Sequence, residues 1–469
     1  MQTSIESLAA WSLSNQAAHR SDLARRQAKL LVLDTLGAAL ASVGFETIHG
    51  VRAMVSTLGG EPDCTIAGLG LKSSVLNAVF ANGALVRALD LNDVQWAPKE
   101  GHLSVAGHCS DNIPVALSVG EWLGSSGADV LDAIVLGYEM FGRLRDVMPF
   151  DIPWDGTSAS GLVAAAMAGR LMGLDVTQQA NALALAAIRC ATPKVVRWGK
   201  LSAAKNLANS MIAQSGVMAA LLAREGITGP LEVLDHKGGT HQVYDPKLDF
   251  STLWRESREP LYIMASNIKT FPCIGTAQTL IVAALDAHRR LAGRIEQVES
   301  VEVEMADLPM VRNQQAELTR KYPKTREAAD HSFTFLPAIV LLDGKLTLDQ
   351  YDGERWTAPD VCRLMDKVSL QVSGEAANAA PDSMPCRLRV RLTSGETIAT
   401  ECLYPPGHSF PGRGLDEAVV EEKFREVSKK VLPRALQEQA IAEALAIDRA
   451  KDLRRLMASV SGAISVIHG

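Results

Sequence analysis

The chain has 469 residues, 47% hydrophobic, 21% charged and only 5% aromatic, a globular balance at a length that calls for two domains or three. Its net charge of −6 lacks the basic excess of a nucleic-acid binder, although a local basic pocket for an anion is compatible with it. Seven scattered cysteines contain no CxxC pair, which reads as reduced thiols rather than a disulfide frame or a zinc site.

The opening "MQTSIESLAAWSLSNQ" lacks the charged start and apolar core of a signal peptide. No apolar run has the length of a membrane span, so a soluble cytoplasmic protein is expected. Residues 1 to about 265 read as one helix after another. "SDLARRQAKLLVLDTLGAALAS" begins at Ser21, a good N-cap, and repeats apolar residues at helical spacing. "SVLNAVFANGALVRALDL" and "DNIPVALSVGEWLGSSG" keep the same period, with Pro114 suited to a first helical turn. "SASGLVAAAMAGRLMGLD" and "NSMIAQSGVMAALLAREGITG" are apolar on most sides and rich in small residues, as buried, closely packed helices are.

The pattern changes after residue 270. "QVESVEVEMA" and "DKVSLQVSG" alternate as half-buried strands do, and "CRLRVRLTSGETIATECLY" reads as a hairpin around Ser394-Gly395. "AADHSFTFLPAIVLLDGKLT" between them looks helical. The expected fold class is therefore mainly α. A large all-helical domain, made of residues 1–268 and a returning tail at 406–469, carries a smaller α+β lid domain over 269–405. "YPPGHSFPGRG" is the linker between lid and tail.

Few segments announce chemistry. "AGLGLKSS" (67–74) lacks the GxxxxGK[ST] spacing of a phosphate loop and reads as a turn; no GxGxxG, HExxH, GxSxG or EF-hand pattern occurs. "RALDLNDVQW" ends an apolar helix with Asp90 and Asp93, whose spacing of three would put both on one helical face. Such a pair could orient a histidine or hold a proton; equally, it could cap the helix. "EGHLSVAGHCSDN" holds His102 and His108, and only His108 runs into the helix start "SDNIPVALS". A helix N-terminus there favours an anion and a neutral, proton-accepting imidazole. Lys205 in "AAKNLANSMIAQSG" and Lys269 in "SNIKTFPCIGTAQ" could neutralise a substrate carboxylate.

Together these segments resemble the MmgE/PrpD family over nearly the whole chain. "ALDLNDVQW" resembles its aspartate-rich "DFDDT" segment, "GHCSDNIPVAL" its "GHPSDN" and following helix, and "AAMAGRLMGLD" its small-residue helix. "AQSGVMAALLAREGITGP", "IKTFPC" and "KYPKTREAADHSFTFLPAIVLLDGKLT" follow in family order. The resemblance implies a homodimer, no metal or organic cofactor, and a small di- or tricarboxylate as substrate; the charge and the lack of a membrane-length apolar run make neither nucleic acid nor membrane an expected partner. It places Asp90, Asp93, His108, Lys205 and Lys269 at catalytic positions, and Asp155, Gln278 and His331 among substrate contacts. Departures are Val94 for threonine, Trp154 near a histidine position of decarboxylase-like members, Gln278 for a histidine, and about six extra residues, "HLSVAG", before His108.

The chemistry the resemblance implies starts at a carbon beside a carboxylate. Lys205 and Lys269 are expected to stabilise the enolate-like charge, His108 to exchange the proton with Asp90 orienting it, and Asp93 or Asp155 to protonate a leaving hydroxyl. A hydro-lyase acting on a 2-methylcitrate-like acid is the first expectation. An epimerase or decarboxylase of the same family and a non-catalytic carboxylate binder are the alternatives.

Overall fold

A computed structural model describes residues 2–14, 21–99, 102–147, 154–189, 191–197, 202–239, 249–254, 260–410 and 413–462. Two compact units emerge: Met1–Gln95 with Ala106–Ile268 and Ser409–Gly469, and Trp96–Val105 with Lys269–His408.

The first unit is helical. Its main helices are α1 (Ser4–Ser14), α2 (Asp22–Ala41), α3 (Glu46–Leu58), α4 (Val75–Arg87), α5 (Ile113–Leu123), α6 (Gly127–Val147), α7 (Ala159–Leu171), α8 (Val176–Ala187) and α9 (Ala204–Arg224). Local sequence sets their ends. The Ser21 side chain accepts from the Ala24 amide, Asp175 and Gln178 form a capping box, and Pro114 occupies the first turn of α5. Of residues 67–74, expected as a turn, only 67–70 turn; they join two short antiparallel strands, β1 (Cys64–Ile66) and β2 (Leu71–Ser73), with Gly68 at φ +72° and Gly70 at φ +62°.

Small residues let α9 sit deep among its neighbours. A Cβ added at Gly216 would lie 2.4 Å from the Gly161 carbonyl oxygen of α7, and one at Gly83 of α4 would lie 2.9 Å from the Ser210 Cβ. No other residue type allows that approach. No single described helix is long and apolar enough to cross a membrane.

The segment expected as an inserted loop is instead a strand. β3 (Val94–Lys99) and β4 (His102–Gly107) join β5 (Ser266–Asn267) in the order β4-β3-β5. Val94 and Gln95 pair antiparallel with Asn267 and Ser266.

The second unit is built on a four-stranded sheet of order β7-β6-β8-β9, with β6 Val298–Ala306, β7 Val368–Ser373, β8 Cys386–Leu392 and β9 Thr397–Cys402. β6 and β7 run parallel; β8 is antiparallel to both β6 and β9, and the β8–β9 turn carries Gly395 at φ +87°. Helix α10 (Gln278–Leu291) covers β8 and β9. The region expected as one helix breaks. After a short turn at Arg326–Ala329, α11 (Phe335–Asp343) starts afresh where Ser332 Oγ accepts from the Phe335 amide.

The tail returns as α12 (Glu417–Ser428) and α13 (Arg434–Leu445), both against α2. The expected boundary at 405/406 lies instead between His408 and Ser409, for a visible reason. His408 Nε2 donates to the Asp382 carbonyl (2.9 Å) in the second unit, whereas the Ser409 amide donates to Asn267 Oδ1 (2.6 Å) and its hydroxyl to the Met264 carbonyl (2.9 Å) in the first. Residues 96–105, expected with the helical domain, group with the second unit.

Candidate functional site

The first unit gathers charge where α4 ends. The helix stops at Arg87, and Asp90 takes a left-handed φ of +52°, a conformation that costs a non-glycine residue and persists only where surroundings enforce it. Asp90 and Asp93 therefore do not share a helical face, as their spacing had suggested. The Asp90 carboxylate meets Arg87 (2.8 Å), Lys205 Nζ (3.9 Å) and His108 Nε2 (4.0 Å). All four residues are mostly withdrawn from water: Arg87 is 2%, Asp90 10%, Lys205 7% and His108 17% exposed at the side chain.

Lys205 stands in the first turn of α9, where the helix dipole disfavours a cation. Its carboxylate neighbour offsets that cost. The following turns of α9 hold the loops on either side: Asn206 donates to the Ala88 carbonyl (3.1 Å) and Asn209 to the Asp111 carbonyl (3.1 Å).

His108 precedes a 3-10 turn at Cys109–Asn112, not α5 itself. Its Nδ1 is 2.5 Å from the backbone carbonyl of Asp93. A carbonyl only accepts, so Nδ1 carries hydrogen and the neutral ring keeps its lone pair on Nε2, the nitrogen on the Asp90 side. The Asp93 backbone thus sets the ring's tautomer, where the Asp90 carboxylate had been expected to orient it.

The Asp93 side chain serves elsewhere. It is fully buried and accepts from Ser110 Oγ (2.6 Å) and Tyr138 Oη (2.9 Å). Burial raises its pKa, against the pull of those two donors, and burial beside Asp93 drives the Tyr138 phenol well up. Asp111 is pushed up to about 6, first by burial, although Arg87 opposes the rise. Asn92 links the two loops, donating to Asp111 Oδ1 (2.8 Å) and Ser110 Oγ (2.9 Å) while accepting from Arg87 (3.2 Å). Arg87 itself is depressed by burial but raised more by the carboxylates of Asp90, Asp111, Asp155 and Asp93, so it stays charged.

Asp155 does not fit the expected role of acid. Burial pushes its pKa up, but the Arg197 charge and hydrogen bond (3.2 Å, Nη2 to Oδ1), with the Thr157 amide, bring it below the ordinary value. A carboxylate held ionised by a two-pronged guanidinium has no proton to give. Arg145, nearby, is lowered to about 10 by burial, with Asp155 opposing.

Three expected site residues belong to the second unit. Lys269 is 1% exposed at the start of that unit. His331 pairs with the adjacent Asp330 carboxylate. Gln278 corrects its expectation as a substrate contact. Its oxygen accepts from the Phe271 amide (3.0 Å) and Thr270 Oγ1 (3.4 Å), and its nitrogen donates to the carbonyls of Phe271 (3.0 Å) and Cys273 (3.2 Å). The amide is saturated closing that turn. His102 opens β4, and its side chain lies outside the described residues. Among the described residues, no group of three or more His, Cys, Asp and Glu could hold a metal ion.

Arg87, Asn92, Ser110, Asp111 and Tyr138 were not singled out from sequence. The signal for Arg87 was present, as a charged residue inside the apolar run "ANGALVRAL". Tyr138 gave none, because it reaches Asp93 only through the fold.

In the first unit, then, a buried carboxylate meets two cations and an imidazole whose Nδ1 is turned to a backbone carbonyl. The chain belongs to the MmgE/PrpD family: the N-terminal domain of that family matches residues 6–253 and the C-terminal domain residues 271–448. It is 26% identical over 466 residues to cis-aconitate decarboxylase of Mus musculus, covering 93% of this chain and 88% of that protein. It is 25% identical over 462 residues to 2-methylcitrate dehydratase of Cupriavidus necator (92% and 91%) and 25% identical over 447 residues to the mitochondrial 2-methylcitrate dehydratase of Yarrowia lipolytica (90% and 83%).

Proposed function

We propose that the protein is a lyase for a di- or tricarboxylic acid, and that its reaction is dehydration of a 2-methylcitrate-like acid. The observation that carries this reading is His108 with Nδ1 fixed on the Asp93 carbonyl and Nε2 4.0 Å from Asp90, beside Lys205 and Arg87. In this reading Nε2 takes the proton from the carbon beside a carboxylate. Lys205 neutralises the charge that grows there, and Asp90 stabilises the imidazolium. The same imidazolium then delivers the proton to the departing hydroxyl, so water leaves and a C=C bond forms. With Asp155 ionised and Asp93 enclosed by Ser110 and Tyr138, neither of the two expected acids is used in this reading, and His108 takes that role.

Decarboxylation of a cis-aconitate-like acid is the second reading. It is supported by 26% identity to the mouse decarboxylase across most of both chains. Both readings are tested by incubating the enzyme in D2O with a panel of 2-hydroxy and unsaturated tricarboxylates. New alkene absorbance supports dehydration, carbon dioxide supports decarboxylation, and deuterium exchange without either supports epimerisation. Thermal stabilisation by these acids with no turnover, or full activity in His108→Ala, overturns the proposal.

The proposal includes a homodimer. Met211, Met218 and Leu222 are exposed on α9 at a spacing that puts them on one face. Light scattering at the monomer mass of 50.2 kDa would overturn that part.

A further inference from the structure

Among the buried ion pairs that the mechanism above leaves unused, one reaches the site's own loop. Lys423, on the returning helix α12, and Asp34, on α2, are 2% and 0% exposed at their side chains and 2.5 Å apart. The same Lys423 Nζ donates to the backbone carbonyl of Leu91 (2.8 Å). Leu91 follows Asp90, with its positive φ of +52°, and precedes by two residues the Asp93 carbonyl that holds His108. One ammonium from the end of the chain thus reaches the middle of the loop that presents both the carboxylate and the tautomer-setting carbonyl.

We propose that Lys423 is a positioning residue for this site, holding loop 90–93 through the Leu91 carbonyl, with Asp34 as its charge partner. Burying an ion pair contributes little to stability compared with well-packed apolar groups of the same shape, so stability alone gives this pair no advantage. A fixed ammonium does something an apolar side chain cannot: it donates to a backbone carbonyl in a loop with no regular ladder around it. The left-handed turn at Asp90 is a conformation that surroundings must enforce, and the Leu91 contact is adjacent to it.

The inference rests on the proposed proton-transfer role of His108 for its kinetic consequence, but not for its structural one. Its test therefore uses a substrate-free readout first. In protein with isotope-labelled histidine, the His108 nitrogen shifts report which ring nitrogen carries hydrogen, assigned by the signal lost in His108→Asn. Three variants separate the two bonds of Lys423. Lys423→Met removes the donor and leaves Asp34 buried and ionisable. The double variant Asp34→Asn/Lys423→Met removes both charges and retains the packing volume. Asp34→Asn alone keeps the donor, since even a neutral amine still has hydrogens for the Leu91 carbonyl.

The expected result is that the double variant folds, melts near the wild-type temperature, and loses the single Nδ1–H tautomer of His108, whereas Asp34→Asn keeps it. With a substrate in hand, kcat of the double variant falls on the order of 100-fold, the effect of a misplacement of about 1 Å, while KM changes little, and Asp34→Asn stays near wild type. A folded double variant with wild-type tautomer overturns the inference. So does an Asp34→Asn protein that loses the tautomer as fully as the double variant, because the ion pair and not the Leu91 contact would then set the loop. If no acid is turned over by the wild-type enzyme, the proposed function fails while the tautomer measurement still decides this one.

Discussion

In the proposed reaction His108 uses both ring nitrogens, Nδ1 held on the Asp93 carbonyl and Nε2 moving the proton. Asp90 lies between Arg87 and Lys205, and in that reading it stabilises a third positive charge, the imidazolium, only while it remains ionised. Asp90→Asn keeps the shape and removes that charge. Its kcat should fall about 10²- to 10⁴-fold, the range for a lost acid–base partner, while carboxylate binding, now facing uncompensated Arg87 and Lys205, holds or tightens. Steady-state kinetics would check the split. Asp111 gives a stability prediction instead. Its folded pKa is raised from 3.8 to about 6, so its contribution is fully present below about pH 4 and is lost as pH rises through about 6. Asp111→Asn removes that loss. Relative to wild type, the variant should gain stability between pH 4 and 7, with a ceiling of about 3 kcal/mol, read as a difference in Tm at the two pH values. Equal differences at both would refute the assignment. Sequence order made Asp90, His108 and Lys205 legible as candidates, because each sits in a motif with its own local signal. The contacts that hold the surrounding loops were not legible: Asp93 meets Tyr138 and Lys423 meets Leu91 across long stretches of chain, and no local pattern encodes such contacts. The expectations for Asp155 and Gln278 missed that their polar atoms are occupied, Asp155 by an ion pair with Arg197 far along the chain and Gln278 by a local turn that its residue type does not announce.

Helices carry these residues, and α9 carries the most: Lys205, Asn206 and Asn209 within its first turns. Its depth is fixed by Gly216 against the Gly161 carbonyl at 2.4 Å from where a Cβ would stand. Gly216→Leu would push α9 off α7, at a cost of about 1–3 kcal/mol or more, and would displace Lys205 with it. Lower Tm together with weaker carboxylate binding is the expected outcome. Gly50 of α3 is the contrast, exposed and with nothing within 4 Å of an added Cβ. Gly50→Ala should stabilise the helix by about 1 kcal/mol, visible as a raised Tm with no change in binding. Elements of this kind were legible from apolar periodicity and from caps such as Ser21. The β3–β4 strands were not, because "HLSVAG" has no turn signal of its own, and β3 pairs with Asn267 and Ser266 from far along the chain. The helix at Phe335–Asp343 begins with its apolar run, and the Phe335 amide donates to Ser332 Oγ just before it.

At the scale of the whole molecule, the first unit is sewn from separate stretches of chain, whereas the sheet of the second lies entirely within residues 269–408. The tail supplies packing the earlier helices lack. Phe424 of α12 stands 3.2 Å from the position of a Cβ on Gly37, Val420 is fully buried, and Lys423 neutralises Asp34. A fragment of residues 1–268 would expose that face of α2 and leave a buried aspartate without its ammonium, a combination that is strongly destabilising. It should therefore give no cooperative thermal transition by circular dichroism. The cure follows from one hydrogen bond. The Ser409 amide reaches Asn267 Oδ1 at 2.6 Å, so the two cut ends of the first unit lie close together once 269–408 is removed. A Gly/Ser linker of about four residues, able to span on the order of 10 Å, should join 1–268 to 409–469 and restore a cooperative helical transition. The excised 269–408, which keeps all four strands and α10, should melt cooperatively by itself. If the linked protein stays unfolded while intact chain folds, the first unit depends on the second for its stability, and the returning tail is not what completes its core.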